Sequence, residues 1–209
     1  MTSKYIFVAG APGSKWSSVV KNIYYSADID RSDYRDHCTY YHDASGTLDL
    51  KHLGAYFDPG MECDLPENLN EHSREDLEAI FDQPFSADAA GRRIIKSHIF
   101  ANHIDFIRST WPDCAIVMVH RSDDACLGWW VKCGHFDISY PRYDHYYKNL
   151  KEMARIIQDQ NQDLVRAWAR YWGVEPRNNR QLAQALNLKL PPVEYWQDYI
   201  KSDIQVKVI

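Results

Sequence analysis

Apolar positions along this chain gather into compact runs in its first two thirds and into a helical stripe near its end. Tyr5-Ile-Phe-Val-Ala9 is a continuous apolar run closed by Gly10, the pattern of a strand buried on both faces. From Ser14 onward, Trp16, Val19, Val20, Ile23 and Tyr24 recur as one packed face of a helix. Residues 26 to 91 are polar and irregular, with turn signals at Ser45-Gly46 and Asp58-Pro-Gly60. Within them a short helix is predicted from Ser73 to Phe81, where Ser73 and Asp76 stand in capping spacing. Arg93-Ile-Ile-Lys96 predicts a short strand, and residues 102 to 110 predict a helix stopped by Pro112. Cys114-Ala-Ile-Val-Met-Val119 is a second buried strand, followed by His120-Arg121 and a helix from Asp123 to Lys132 that ends at Gly134.

Such alternation of strand and helix implies parallel strands covered on both faces. The last third is helical: Tyr147, Leu150, Met153, Ile157, Leu164, Val165, Trp168 and Tyr171 recur at steps of mostly three or four. The polar run Gln158 to Asp163 is a candidate break in that helix. Another short helix is expected around 179 to 186, before Pro191-Pro192 interrupts the chain. The 209 residues suffice for one domain with a substantial core and are few for two, so a single α/β domain over residues 1–209 is expected.

Composition narrows the function classes. A net charge of −5 argues against a broad nucleic-acid-binding face but not against a nucleotide, which needs only local positive charge. The apolar run at residues 6–9 is too short for a signal peptide, and no stretch reaches the roughly 18 residues of a membrane span. A cytoplasmic protein is therefore expected, its five cysteines reduced and forming no CxxC pair. Nine histidines include no HExxH, and the spacing of His98 and His103 does not suit one helix face, so no metal site is expected. Arg92 and Arg93 read as surface charges.

The candidate chemistry starts with Gly10-Ala-Pro-Gly-Ser-Lys-Trp-Ser17, a loop between a buried strand and an amphipathic helix. Small residues let the backbone curl so that N–H groups converge, and the helix N-terminus adds a positive dipole end. Lys15 and the hydroxyls of Ser14 and Ser17 add donors, so the loop is suited to phosphate or sulfate; the alternative is a tight turn with an N-capping Ser. Walker spacing is absent, because Lys15 stands where the second Gly would fall. The strand 115–119 ends in His120-Arg121 rather than in a magnesium-binding carboxylate. An arginine there suits a second anionic group.

Three segments taken together resemble the sulfotransferases that use 3′-phosphoadenosine 5′-phosphosulfate (PAPS), a branch of the P-loop α/β fold. The loop is similar to the family's PKSGTTW segment, with Gly13, Ser14 and Trp16 matching in kind. Lys96-Ser97-His98-Ile99-Phe100 resembles the family's KTHLP or KSHxF segment, and Ile116-Val-Met-Val-His-Arg121 resembles its strand ending in Arg. Trp129-Trp130 falls where many members carry paired tyrosines. The matches cover roughly residues 5 to 20 and 93 to 131. The chain departs from the pattern where the family's loop Lys falls on Ala11, and where a Ser about eight residues past Arg121 is replaced by Gly128 or Trp129. The family's C-terminal RKGxxGDW segment has no counterpart.

The resemblance implies a three-layer αβα fold with a central mainly parallel sheet, P-loop nucleoside triphosphate hydrolase-like, and a helical C-terminal third. It implies transfer of a sulfuryl group from PAPS to a hydroxyl or amine of a small-molecule or glycan-type acceptor, leaving 3′-phosphoadenosine 5′-phosphate (PAP), without a metal. His98 is then the base, Lys96 and Lys15 offset charge on the leaving oxygen, and Gly13, Ser14, Lys15, Trp16, Ser17 and Arg121 bind the donor, with Trp16 stacking on its adenine and Arg121 gripping its 3′-phosphate. Residues 30 to 65 and 135 to 147 would meet at the acceptor. Two alternatives stay open: a kinase-like, magnesium-dependent phosphotransferase, and a catalytically degenerate anion-binding relative. For Trp16 the other reading is a core anchor of the first helix, and for Arg121 an ion pair with Asp123 or Asp124.

Overall fold

A computed structural model describes residues 3–34, 53–59, 63–132, 148–195 and 203–209, together with the backbone of 39–41 and 49–51. Five strands form the central sheet: β1 (Tyr5–Ala9), β4 (Ala55–Tyr56), β5 (Arg93–Ser97), β6 (Ala115–His120) and β7 (Gln205–Val208). Their order is β4-β5-β1-β6-β7. The first four run parallel, and β7 closes the far edge antiparallel to β6. The short strands β2 (Thr39–Tyr41) and β3 (Asp49–Lys51) make a separate antiparallel pair.

β1 lies in the middle of this sheet, which explains its unbroken apolar run: every residue from Tyr5 to Ala9 is buried. Side chains alternate across a strand, so β1 feeds two cores. Tyr5, Phe7 and Ala9 face α2 (Arg74–Asp82), α3 (Ile104–Thr110) and the C-terminal half of α5 (Leu150–Arg170). There Phe7 packs edge-on against Phe81 and Phe100 and tilted against Trp111. Ile6 and Val8 face α1 (Trp16–Tyr24) and α6 (Asn179–Ala185). A third cluster joins Ala11 of the β1–α1 loop to α4 (Asp123–Lys132) and the first half of α5, through Cys126, Trp130, Met153, Ile156 and Ile157.

Most predicted elements stand where the pattern placed them, and three readings are corrected. The polar run from Gln158 to Asp163 does not break its helix. α5 continues unbroken from Leu150 to Arg170, because the run holds no Gly or Pro and turns Gln160 and Asn161 inward, where Asn161 Nδ2 donates to the Arg121 carbonyl at 2.9 Å. Arg92 and Arg93 are buried rather than surface charges. Arg92 donates to the carbonyls of Ser3 and Leu186, while Arg93 is held between Asp30 and Asp82. Finally, β7 escapes the pattern reading, since four residues with two valines are too short a signal. The α/β class and the mainly parallel sheet are as expected. No helix among the described residues is long and apolar enough to cross a membrane.

Candidate functional site

Parallel sheets gather loops at the C-terminal ends of their strands, and ligands bind where adjacent strands send their chains to opposite faces. β1 and β5 are such neighbours. From Ala9 the chain passes to α1 on one face, and from Ser97 it passes through a 3-10 turn (Ile99–Asn102) to α3 on the other. The loop Gly10 to Lys15 and His98 therefore meet at this switch point.

The loop is wound tightly. The Ser14 N–H donates to the Ala11 carbonyl at 3.0 Å. Gly13 has φ 84°, and a Cβ there would run into the Cys126 carbonyl of α4, so no larger residue fits. Lys15 also adopts the left-handed conformation, at φ 64°, and precedes the first residue of α1, Trp16. A lysine in this conformation costs about 1 kcal/mol or more, and its side chain carries no acceptor with which to cap the helix. Its ammonium instead lies over the Trp129 ring, 4.5 Å from the centroid. Ser14 Oγ is buried with no hydrogen-bond partner among the described residues. Ser17 is half-buried in the first turn of α1.

His98 is nearly fully buried against the loop. Its Nδ1 lies 2.6 Å from the Gly10 carbonyl oxygen. A carbonyl only accepts, so Nδ1 carries the proton and the neutral ring keeps its lone pair on Nε2. The indole of Trp16 stacks on the imidazole, with centroids 3.8 Å apart and planes 10° from parallel. Burial holds the His98 pKa below its ordinary value, and the nearby Lys96 charge adds to this; Asp58 and the Gly10 carbonyl act in the opposite direction. The ring is thus neutral at pH 7. Lys96, two residues earlier on β5, is fully buried, its ammonium 5.9 Å from the Trp16 ring centroid and 5.7 Å from that of Tyr56.

Arg121 follows β6 and closes the other flank of the loop. Its Nη1 donates to the carbonyls of Gly13 at 3.2 Å and Ala125 at 2.8 Å. Nε and Nη2 pair with Asp203 Oδ2 at 2.8 and 2.7 Å. The arginine therefore ties the loop, α4 and the chain entering β7 together, and its acid is Asp203 rather than Asp123 or Asp124. Trp16 likewise has its ring in the core, against His98 and edge-on to Tyr56.

No family model, no curated protein and no solved structure matches this chain.

All eight residues singled out in the sequence lie on β5 or in the segments that follow β5, β1 and β6, three strands adjacent in the sheet. The missed residue is Asp58. It is fully buried, and Oδ1 accepts from Ser97 Oγ at 2.8 Å and from the His98 backbone N–H at 3.0 Å, while Oδ2 accepts from the Tyr56 hydroxyl at 2.8 Å. In the sequence it passes for the first residue of an Asp-Pro-Gly turn. Only the pairing of β4 with β5 brings it to His98. The proposed acceptor segments lie partly outside the described residues: 135–147 entirely, and much of 30–65. Among the described residues no group of three or more His, Cys, Asp or Glu side chains is placed to hold a metal ion.

Proposed function

We propose that this chain is a sulfotransferase-like enzyme that moves a sulfuryl group from PAPS to a hydroxyl or amine of a small-molecule or glycan-type acceptor. The observation that carries the reading is an imidazole held through Nδ1 on the Gly10 carbonyl, beside a buried lysine at the end of β5 and against a small-residue loop before a helix N-terminus. On this reading the fold is a P-loop nucleoside triphosphate hydrolase-like three-layer sandwich. The loop fits an anionic group in two respects. Ser14 Oγ is a buried donor without a hydrogen-bond partner among the described residues, and a Cβ at Gly10 would stand 2.7 Å from it, within the space the glycine leaves open.

PAPS, when bound, supplies an activated sulfuryl group with PAP as the leaving group. Gly13, Ser14, Lys15 and Ser17 hold its anionic oxygens by N–H and hydroxyl donors, and Lys15 and Lys96 offset negative charge that develops as the reaction proceeds. His98 takes the acceptor's proton on Nε2, since Nδ1 is already committed to Gly10. Trp16 fixes the imidazole plane by stacking, a different use from the adenine contact that the resemblance implies.

The second reading, a degenerate anion-binding relative, is favoured by one observation: Arg121, the expected 3′-phosphate ligand, is already paired with Asp203. Thermal shifts with PAP, adenosine 5′-phosphate and magnesium-ATP separate the possibilities. PAP at about a hundred times its dissociation constant stabilises by about 2.7 kcal/mol, or roughly 5–10 °C in a chain of this size. A shift with PAP well above that with adenosine 5′-phosphate supports the proposal. A preference for magnesium-ATP overturns it in favour of a phosphotransferase. Normal PAP binding with transfer indifferent to His98→Ala, across a broad acceptor screen, leaves the degenerate reading standing.

A further inference from the structure

The burial of His98 raises a physical difficulty for any base in its position. A neutral imidazole in a dry site accepts a proton only if something nearby offsets the new charge. Among the described residues the charged groups shaping its titration are Lys96 and Asp58. Lys96, from its own strand, opposes protonation. The Gly10 carbonyl comes from the β1 loop, and the Trp16 and Tyr56 rings come from α1 and β4. Asp58, from the segment after β4, is the negative group among them, and its Oδ2 lies 4.0 Å from His98 Nε2.

Asp58 is also tied to the backbone that carries the imidazole. Oδ1 takes the His98 N–H and the Ser97 hydroxyl together, fixing the junction at which β5 turns into the 3-10 segment. Oδ2 takes the Tyr56 hydroxyl, which disperses part of the carboxylate's charge on the side facing Nε2. One fully buried acid thus sets both the direction and the electrostatic surroundings of the ring.

We propose that Asp58 is a positioning residue for His98: it holds the imidazole in place and stabilises the imidazolium formed when Nε2 takes the acceptor's proton, with Tyr56 tuning that charge. The proton leaves the acceptor's hydroxyl oxygen and bonds to Nε2, while the O–H electron pair stays with that oxygen. Nδ1 keeps its own proton on Gly10 throughout. This inference rests on the reading of His98 as a base.

The test is an NMR titration of the His98 ring in the full chain from pH 8 to pH 4, its signals assigned by their loss in His98→Gln. Asp58→Asn preserves shape and removes the charge. In it the His98 pKa is expected to fall by at least one unit, a tenfold weaker proton affinity. Tyr56→Phe leaves the carboxylate charge undispersed, and the pKa is expected to rise. Opposite shifts from two neighbouring variants are not what loss of packing produces. An unchanged pKa in folded Asp58→Asn overturns the proposal, as does a wild-type ring that stays neutral down to pH 4. Should Asp58→Asn not fold, Tyr56→Phe decides alone: an upward shift supports the coupling and no shift rejects it. Shifts as expected in a chain that shows no PAP binding keep the Asp58–His98 coupling and reject the sulfotransferase reading instead.

Discussion

Asp33 is nearly buried beneath Tyr24, whose hydroxyl donates to Asp33 Oδ1 at 3.0 Å. Burial pushes the Asp33 carboxyl up to about 6, and the Tyr24 hydrogen bond and the charge of Lys96 only partly offset it. A carboxyl raised in the folded state favours folding while it is protonated. Its contribution is whole below the ordinary carboxylate range and is lost as pH rises through about 6. Asp33→Asn is neutral at every pH and keeps an oxygen for Tyr24. Its stability relative to wild type is therefore expected to grow between pH 4 and pH 7, by about 1–3 kcal/mol. Urea denaturation of both proteins at unit steps of pH measures this, and a gap that stays flat across the range refutes the assignment. The same reasoning shows why single residues at the site were only partly legible. Lys96 and His98 are visible as residue types in a row, but their burial, which decides their charge states, is set by Trp16, Tyr56 and Asp58 from elsewhere in the chain.

Among the elements, β1 and β6 were legible because a centrally placed strand is written as a run of apolar residues, β5 by its Ile94-Ile95 pair, and α4 by its flanking signals. The start of α2 was legible because Ser73 caps it, accepting from the Asp76 N–H. β4 and β7 were not, since two and four residues give no period, and their strand character comes from pairing with β5 and β6. The centre of α5 was not legible, because the polar run Gln158 to Asp163 reads as a candidate break although its residues continue the helix. Gln160 lies buried with neither end of its carboxamide hydrogen-bonded among the described residues. On the helix it falls between Ile156 and Ile157, which pack against Ala11, and Leu164, in the cluster with Ile99 and Phe100. A buried amide without partners is destabilising, so Gln160→Met is expected to stabilise the chain by about 1–2 kcal/mol. A rise in denaturation midpoint without change in slope is the expected result. If Gln160→Met proves neutral or destabilising, the carboxamide has partners in solution. If the variant is more stable but loses its thermal shift with PAP, Gln160 has a part in the ligand site.

For the molecule as a whole, the pairing of Arg121 with Asp203 joins the end of β6 to the approach of β7, two segments far apart in sequence. No local pattern announces such a bond; it exists because the sheet brings these ends together. Arg121 holds the Asp203 carboxyl below its ordinary range, with the Lys15 charge contributing. Asp203 is 39% exposed at its side chain, so the pair itself contributes only about 0–1 kcal/mol. On the proposed reading its larger effect is on ligands, because the carboxylate occupies positive charge that an incoming phosphate would otherwise meet. Asp203→Asn is expected to tighten PAP and inorganic phosphate several-fold at low salt, with the gain shrinking as salt is added. Calorimetric titration at two ionic strengths reads this directly, and unchanged or weaker binding by a folded variant rejects it.

β7 has a consequence for how the molecule is made. Synthesis delivers β6 long before the strand that covers it, and the pairing Val119↔Val206 spans most of the C-terminal half. Until residues 205–208 leave the ribosome, β6 offers a bare row of backbone donors and acceptors to any other chain. The nascent protein is therefore most exposed to misassembly just before its sheet is closed, and shortening this strand exposes the completed fold to the same hazard.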